Sequence, residues 1–94
     1  MTRERAIEMV GEDLIDRLDN VECDFMNTCR NDGLIEFAAL LEVDYENLTA
    51  EQRYNLPVTG CSIVAYYYHT KEDVDSTDGD LCRLDWTVDK YEIE

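Results

Sequence analysis

The segment KEDVDSTDGD, residues 71–80, has five carboxylates in ten positions and is the first candidate for metal chemistry. A calcium loop of the EF-hand type needs carboxylates at positions 1, 3 and 5, glycine at position 6 and glutamate at position 12. Numbering from Asp73 puts Thr77 at position 5, and numbering with Gly79 as position 6 puts Val74 at position 1. Neither register supplies the ligands, so we expect no EF-hand and no cofactor.

Metal or nucleophilic chemistry could also come from four cysteines and one histidine, which are Cys23, Cys29, Cys61, Cys82 and His69. The chain has no C-x-x-C pair of the kind that dominates structural zinc sites. Cys23 and Cys82 alternate in phase with apolar residues, as buried free thiols do. No G-x-S-x-G or Cys/His motif accompanies His69. We therefore expect a protein that is not an enzyme and whose cysteines are reduced.

The strongest chemical feature is the excess of acid, with 23 Asp and Glu against 8 Lys and Arg and a net charge of −15. Like charges repel, so direct binding to nucleic acid or to an anionic membrane is disfavoured, and basic surfaces become the natural partners. Alternate residues of a strand lie about 7 Å apart, comparable to neighbouring phosphates of a nucleic acid. A strand can therefore hold carboxylates in a row that competes for a Lys/Arg groove. A merely solvated acidic face is the alternative.

The tyrosine run Tyr66-Tyr67-Tyr68 adds an apolar element to this acidic surface. Alternation puts Tyr67 in the core and Tyr66 and Tyr68 on the sheet face away from the helix. Exposed aromatic residues flanked by charge are typical of interaction surfaces. A loop or a second subunit could instead cover them. The predicted partner-binding residues are Glu22, Asp24, Glu36, Glu42, Asp44, Asp85 and Asp89 on that face, Asp73, Asp75, Asp78 and Asp80 at the 71–80 tip, and Tyr66 and Tyr68 as anchors.

An N-terminal helix should cover one side of the sheet that positions these residues. Thr2 can cap it, and Val10, Leu14 and Leu18 recur at helical spacing. Gly11 lies inside the pattern, where glycine costs about 1 kcal/mol relative to alanine. We expect that the helix continues through Gly11 and approaches a strand closely there.

Four segments have the alternation of strands, and turn or helix signals separate them. Asn-Asp-Gly at 31–33 predicts a hairpin turn, Thr49 to Gln52 fits a capping box, and 71–80 reads as a hairpin connection. The predicted strands are 21–29, 34–45, 61–70 and 81–88, with a bulge near Asp89-Lys90. The resulting prediction is one α+β domain, residues 1–94, with an N-terminal helix packed on a four-stranded antiparallel sheet in the order α-β-β-(short α)-β-β.

The sequence lacks a transmembrane-length apolar run and the apolar core of a signal peptide. We therefore expect a cytoplasmic protein without membrane contact. The stretch AIEMVGEDLIDRLDNVECDFMN, residues 6–27, resembles small acidic proteins of tailed phages and related mobile elements.

In size, charge and helix-on-sheet outline the chain is also similar to phage-encoded inhibitors of host defence, including anti-CRISPR and anti-restriction proteins that mimic nucleic acid. That resemblance implies a non-enzymatic inhibitor that occupies the basic nucleic-acid-binding surface of a host defence complex, with an anti-CRISPR as the leading subtype. The first alternative is an assembly module that homodimerises through the sheet, and the second is a calcium- or zinc-dependent regulator. Whether the chain is a monomer or a homodimer stays open.

Overall fold

The structure is a computed structural model that describes residues 1–20, 26–29, 33–56 and 60–94. Several short helices accompany one antiparallel sheet, so the predicted α+β class is confirmed. The helices are α1 (Arg3–Val10), α2 (Glu12–Asp19), α3 (Ala50–Asn55) and α4 (Lys71–Asp75).

The N-terminal region is two helices joined at Gly11, and the prediction of one continuous helix is wrong. Thr2 caps α1 as expected, since its side-chain oxygen accepts a hydrogen bond from the Arg5 amide at 3.2 Å. Gly11 has φ 92° and ψ 149°, a backbone conformation that is essentially restricted to glycine. A Cβ built on Gly11 would meet no atom within 4 Å. Glycine is therefore needed here for its backbone angles, and the predicted close approach to a strand is wrong.

The sheet has two long central strands between two short ones. All neighbours are antiparallel, and the strand Leu34–Glu42 pairs with the strand Ser62–Thr70 along its whole length. The predicted strand at 34–45 ends earlier, because Val43 is followed by a 3-10 helix at Tyr45–Asn47. In sheet order the strands are β1 (Met26–Cys29), β2 (Leu34–Glu42), β3 (Ser62–Thr70) and β4 (Lys90–Ile93). Of the predicted first strand and turn, residues 21–25 and 30–32 lie outside the described residues.

The predicted strand at 81–88 is wrong. Residues Leu81–Arg83 form a 3-10 helix, and the chain is irregular from there until β4 begins at Lys90. The contacts of Trp86 explain why this segment is irregular and not a strand. The indole packs edge-on against Phe37 and Tyr67, with its ring centroid 5.2 Å from that of Phe37 and 5.3 Å from that of Tyr67. The indole Nε1 also donates a hydrogen bond to the Leu81 carbonyl at 3.0 Å. The apolar residues of this segment are thus packed by an irregular chain with no strand pairing.

The acidic segment 71–80 is also more ordered than a hairpin tip. Its first half is α4, capped by the Thr70 hydroxyl, which accepts from the Asp73 amide at 3.1 Å. Val74 packs against the core, and Thr77 is only 4% exposed. The Thr77 hydroxyl donates to the Val74 carbonyl at 2.7 Å. The segment is a helical turn fixed to the core. The predicted hairpin connection is wrong in that no strand follows directly at residue 81.

The main core lies between the helices and one face of the sheet. Ile15 and Leu18 of α2 are buried there with Phe37, Ile63 and Tyr67. The predicted capping box of α3 is present, with reciprocal hydrogen bonds between Thr49 and Gln52.

The cysteines divide between core and surface. Cys61 is 2% exposed, whereas Cys82 is exposed, so the prediction that Cys82 is a core thiol is wrong. Both are free thiols. Cys23 lies outside the described residues.

Candidate basic-protein interface

The sheet face that points away from the helices contains the residues most relevant to binding. Along β2 and β3, residues that face the core alternate with residues that face the opposite side of the sheet. We call this surface the outer face, and it is formed by Glu36, Ala38, Leu40 and Glu42 of β2, Val64, Tyr66 and Tyr68 of β3, and Lys90 and Glu92 of β4.

The centre of the outer face is a small apolar cluster. Ala38, Val64 and Tyr66 are buried together, and Tyr68 packs against them while remaining partly exposed. Leu40 is 36% exposed. Tyr66 is 9% exposed, so its ring contributes more to this cluster than to contact with a partner. Tyr68 and Leu40 are therefore the apolar side chains that a partner could reach.

Lys90 brings a positive charge onto the two tyrosine rings. Its Nζ lies 5.1 Å from the ring centroid of Tyr66 and 6.0 Å from that of Tyr68. The same Nζ lies 3.2 Å from Oε1 of Glu92. Hydrogen bonds with Glu92 and then with Tyr68 raise the pKa of Lys90 above its ordinary value. The outer face therefore already binds a cation through aromatic rings and a carboxylate.

Carboxylates adjoin both tyrosine hydroxyls. The Tyr66 hydroxyl donates a hydrogen bond to Oε1 of Glu94, and burial followed by this bond raises the pKa of Tyr66. Burial and then hydrogen bonding with Glu36 raise the pKa of Tyr68, while Lys90 lowers it. Both phenols therefore stay protonated at neutral pH and act as hydrogen-bond donors to carboxylates.

Of the predicted acids, Glu36 and Glu42 lie on the outer face. Asp44 lies just beyond β2 and caps the 3-10 helix that follows, accepting from the Glu46 amide at 3.1 Å. Glu22 and Asp24 lie outside the described residues.

Asp85 and Asp89 do not lie on a strand of the outer face, as was predicted, because both belong to the irregular segment before β4. Asp85 accepts a hydrogen bond from the Thr87 hydroxyl at 2.8 Å, and the neighbouring Trp86 packs on the opposite side of the sheet. The Asp89 amide donates to the Tyr66 carbonyl at 2.8 Å, which places Asp89 at the edge of β3.

The four aspartates of the 71–80 segment that were predicted to bind a partner are exposed and separate from the outer face. Asp73 and Asp75 belong to α4, and Asp78 and Asp80 follow it. Asp80 caps the next 3-10 helix and lies 3.6 Å from Arg83 Nε. Asp80 therefore has a local structural role, which the sequence patterns did not indicate.

Lys90, Glu92 and Glu94 were missed by the sequence reasoning. The signal that could have identified them is the spacing of Tyr91 and Ile93, whose apolar side chains alternate with these three residues. Tyr91 and Ile93 face the core, so their neighbours must face the other way. A bulge was predicted near Asp89-Lys90, whereas a short strand starts at Lys90.

The chain matches no protein-family model, no curated protein and no solved structure. Across the described residues, no group of three or more His, Cys, Asp or Glu side chains is arranged to hold a metal ion. In the described ranges, no helix has both the length and the apolar character needed to cross a lipid bilayer. The outer face and the net charge of −15 are therefore the features that bear on function.

Proposed function

We propose that this protein is an acidic, non-enzymatic inhibitor that binds a basic, nucleic-acid-binding surface of another protein in competition with nucleic acid. The observation that carries the proposal is the outer face, where Glu36, Glu42 and Glu92 surround partly exposed apolar side chains on a chain of net charge −15. None of the described helices packs on that face, since their buried residues belong to the core on the other side.

The distribution of the basic residues supports the proposal. Arg3, Arg5, Arg83 and Lys90 each lie within 4.0 Å of a carboxylate, so their charges are offset locally. The remaining acids dominate the field around the molecule. Such a field attracts a basic partner from a distance and accelerates encounter, while a few close contacts determine how slowly the complex separates.

The resemblance of residues 6–27 to phage proteins makes a host defence complex the first target to test, with an anti-CRISPR role as the leading subtype. A guide-loaded CRISPR effector and a restriction enzyme each bind DNA through a basic channel. We expect the chain to release labelled DNA from one of them, measured by fluorescence anisotropy, and to do so less effectively as salt concentration rises.

Matched charge variants locate the binding surface. The outer-face variant carries Glu36→Gln, Glu42→Gln and Glu92→Gln. The control variant carries three substitutions of the same charge at exposed positions elsewhere, Glu12→Gln, Glu46→Gln and Glu51→Gln. We expect the outer-face variant to lose most of the competition and the control to lose little. Equal loss by both variants would contradict the assignment to the outer face, and failure of the unmodified chain to displace DNA at low salt would contradict inhibition of these targets.

A second candidate function is assembly through a homodimer, favoured by Leu40, which is 36% exposed next to the apolar cluster. In a two-fold dimer through this face, both copies would bring Glu36, Glu42 and Glu92 into the same interface, and the repulsion between like charges would oppose association. Sizing chromatography at low and high salt separates the two functions. A dimer that strengthens with salt supports assembly, and a monomer at every salt concentration contradicts it.

A further inference from the structure

We infer that the outer face recognises an arginine side chain of its basic partner, whose guanidinium replaces Lys90 over the tyrosine rings. The inference rests on the proposed function and adds the chemical class of the contact. The outer face already holds one cation, the ammonium group of Lys90. Lys90 Nζ lies 5.1 and 6.0 Å from the ring centroids of Tyr66 and Tyr68, at a distance where a ring face attracts a cation.

The residues around the rings suit a guanidinium better than an ammonium. A guanidinium is planar, stacks on an aromatic face and can donate two parallel hydrogen bonds to one carboxylate. Glu92 lies on one side of the rings, 3.2 Å from Lys90 Nζ, and Glu36 lies opposite Tyr68 on β2. An arginine that enters over Tyr68 would therefore have a ring to stack on and a carboxylate on either side.

Lys90 can leave this position at low cost. Its side chain is 38% exposed and that of Glu92 is 43% exposed, so their ion pair is a surface pair of small net stability. While Lys90 occupies the rings, it competes with any incoming cation and lowers the apparent affinity for it. Lys90 thus acts as an internal competitor that an arginine of the partner displaces.

Charge complementarity selects this occupant over a second copy of the chain. A second copy would bring carboxylates against Glu36 and Glu92, whereas a basic segment neutralises both. The partly exposed Tyr68 and the exposed Leu40 provide apolar area for the aliphatic stem of an arginine.

The test uses oligoarginine and oligolysine peptides of equal length as probes, with binding measured by titration calorimetry at low ionic strength. We expect the chain to bind oligoarginine at least about threefold more tightly than oligolysine, as a stacked guanidinium contributes more than an ammonium. Tyr68→Leu should remove this preference. Tyr54→Leu is the control, because Tyr54 is 88% exposed and does not belong to the apolar cluster of the outer face.

Lys90→Met tests the competition directly. It removes the cation and keeps a side chain of similar length, so oligoarginine should bind about three- to tenfold more tightly. Lys71→Met is the matched control, because Lys71 is exposed on α4 and the substitution makes the same change in net charge. A gain for Lys90→Met that clearly exceeds the gain for Lys71→Met supports the inference.

The outcomes distinguish this inference from the function on which it rests. Equal binding of the two peptides together with equal gains for the two lysine variants overturns the arginine site and leaves a general attraction for basic surfaces. No binding of either peptide at low ionic strength overturns both. Circular dichroism checks that each variant is folded, and the comparison of the two lysine variants decides the matter if Tyr68→Leu does not fold.

Discussion

Tyr91 joins the last strand to the N-terminal helices, and its removal gives the sharpest prediction about stability. Tyr91 is 3% exposed, and its hydroxyl donates a hydrogen bond to Oδ1 of Asp19 at 2.6 Å. Tyr91→Phe keeps the ring and deletes only this hydrogen bond. A hydrogen bond to a charged group contributes about 1.5–3 kcal/mol.

The lower end of that range applies here. Asp19 keeps Nε of Arg3 at 3.2 Å, and its side chain is 29% exposed, so the carboxylate would retain a partner and water after the substitution. We therefore expect Tyr91→Phe to lower the free energy of unfolding by about 1.5 kcal/mol. For a domain of this size that corresponds to a fall in Tm of roughly 6–12 °C.

Urea denaturation and thermal melts followed by circular dichroism measure this effect. A double-mutant cycle with Asp19→Ala isolates the pair, and its coupling energy should be about 1 kcal/mol or more. Tyr54→Phe is the control, since Tyr54 is 88% exposed and the substitution should change stability little. A coupling energy near zero, or equal effects of the two Phe substitutions, would refute the reasoning.

Two further predictions concern the backbone and alkaline pH. Gly11→Ala should lower the free energy of unfolding, measured in urea, by about 1–3 kcal/mol, because Gly11 has φ 92°. The space around Gly11 is open, so the added methyl group causes no clash and only the backbone angle is tested. A loss below about 0.5 kcal/mol would contradict the role of the backbone angle. Burial and hydrogen bonds to Glu94 and Asp19 raise the pKa of Tyr66 and Tyr91 above 10.0 in the folded chain, so the folded state keeps protons that the unfolded state releases. Stability should therefore be full below pH 10 and fall as pH rises above it, and the variant Tyr66→Phe/Tyr91→Phe should show a smaller fall; an equal fall in both proteins would contradict the assignment.

Local signals predicted the parts of the fold that depend on local interactions. Thr2 and the Thr49–Gln52 capping box mark helix starts because their hydrogen bonds span only three residues. The period-two patterns of β2 and β3 follow from burial on one side of a sheet.

One error arises from distant contacts and another from a local backbone angle. Residues 81–88 alternate like a strand, yet the position of Trp86 is set by Phe37 and Tyr67, which are far away in the sequence. Gly11 was misjudged because the period of the apolar residues continues across it, and only the backbone angle shows the break.

The sequence predicted the chemical character of the candidate site but not all of its residues. The acid excess and the tyrosine alternation indicated an acidic, aromatic sheet face, and Glu36, Glu42 and Tyr68 lie on it. Lys90 could not be assigned, because its contact with two tyrosines depends on the register of β4 against β3. The capping role of Asp44 could not be predicted either, because it depends on where β2 ends.

The link between Tyr91 and the N-terminal region also has a consequence for the order of folding. Met1 and Tyr91 form two backbone hydrogen bonds with each other, and Asp19 accepts a hydrogen bond from the Tyr91 hydroxyl. Contacts between residues 90 and 72 positions apart therefore hold the N-terminal helices to β4. Contacts of such sequence separation form late, because the loop-closure entropy must be overcome first. During synthesis, α1 and α2 therefore emerge long before this strand exists. Final attachment of the N-terminal helices must wait until β4 has been synthesised.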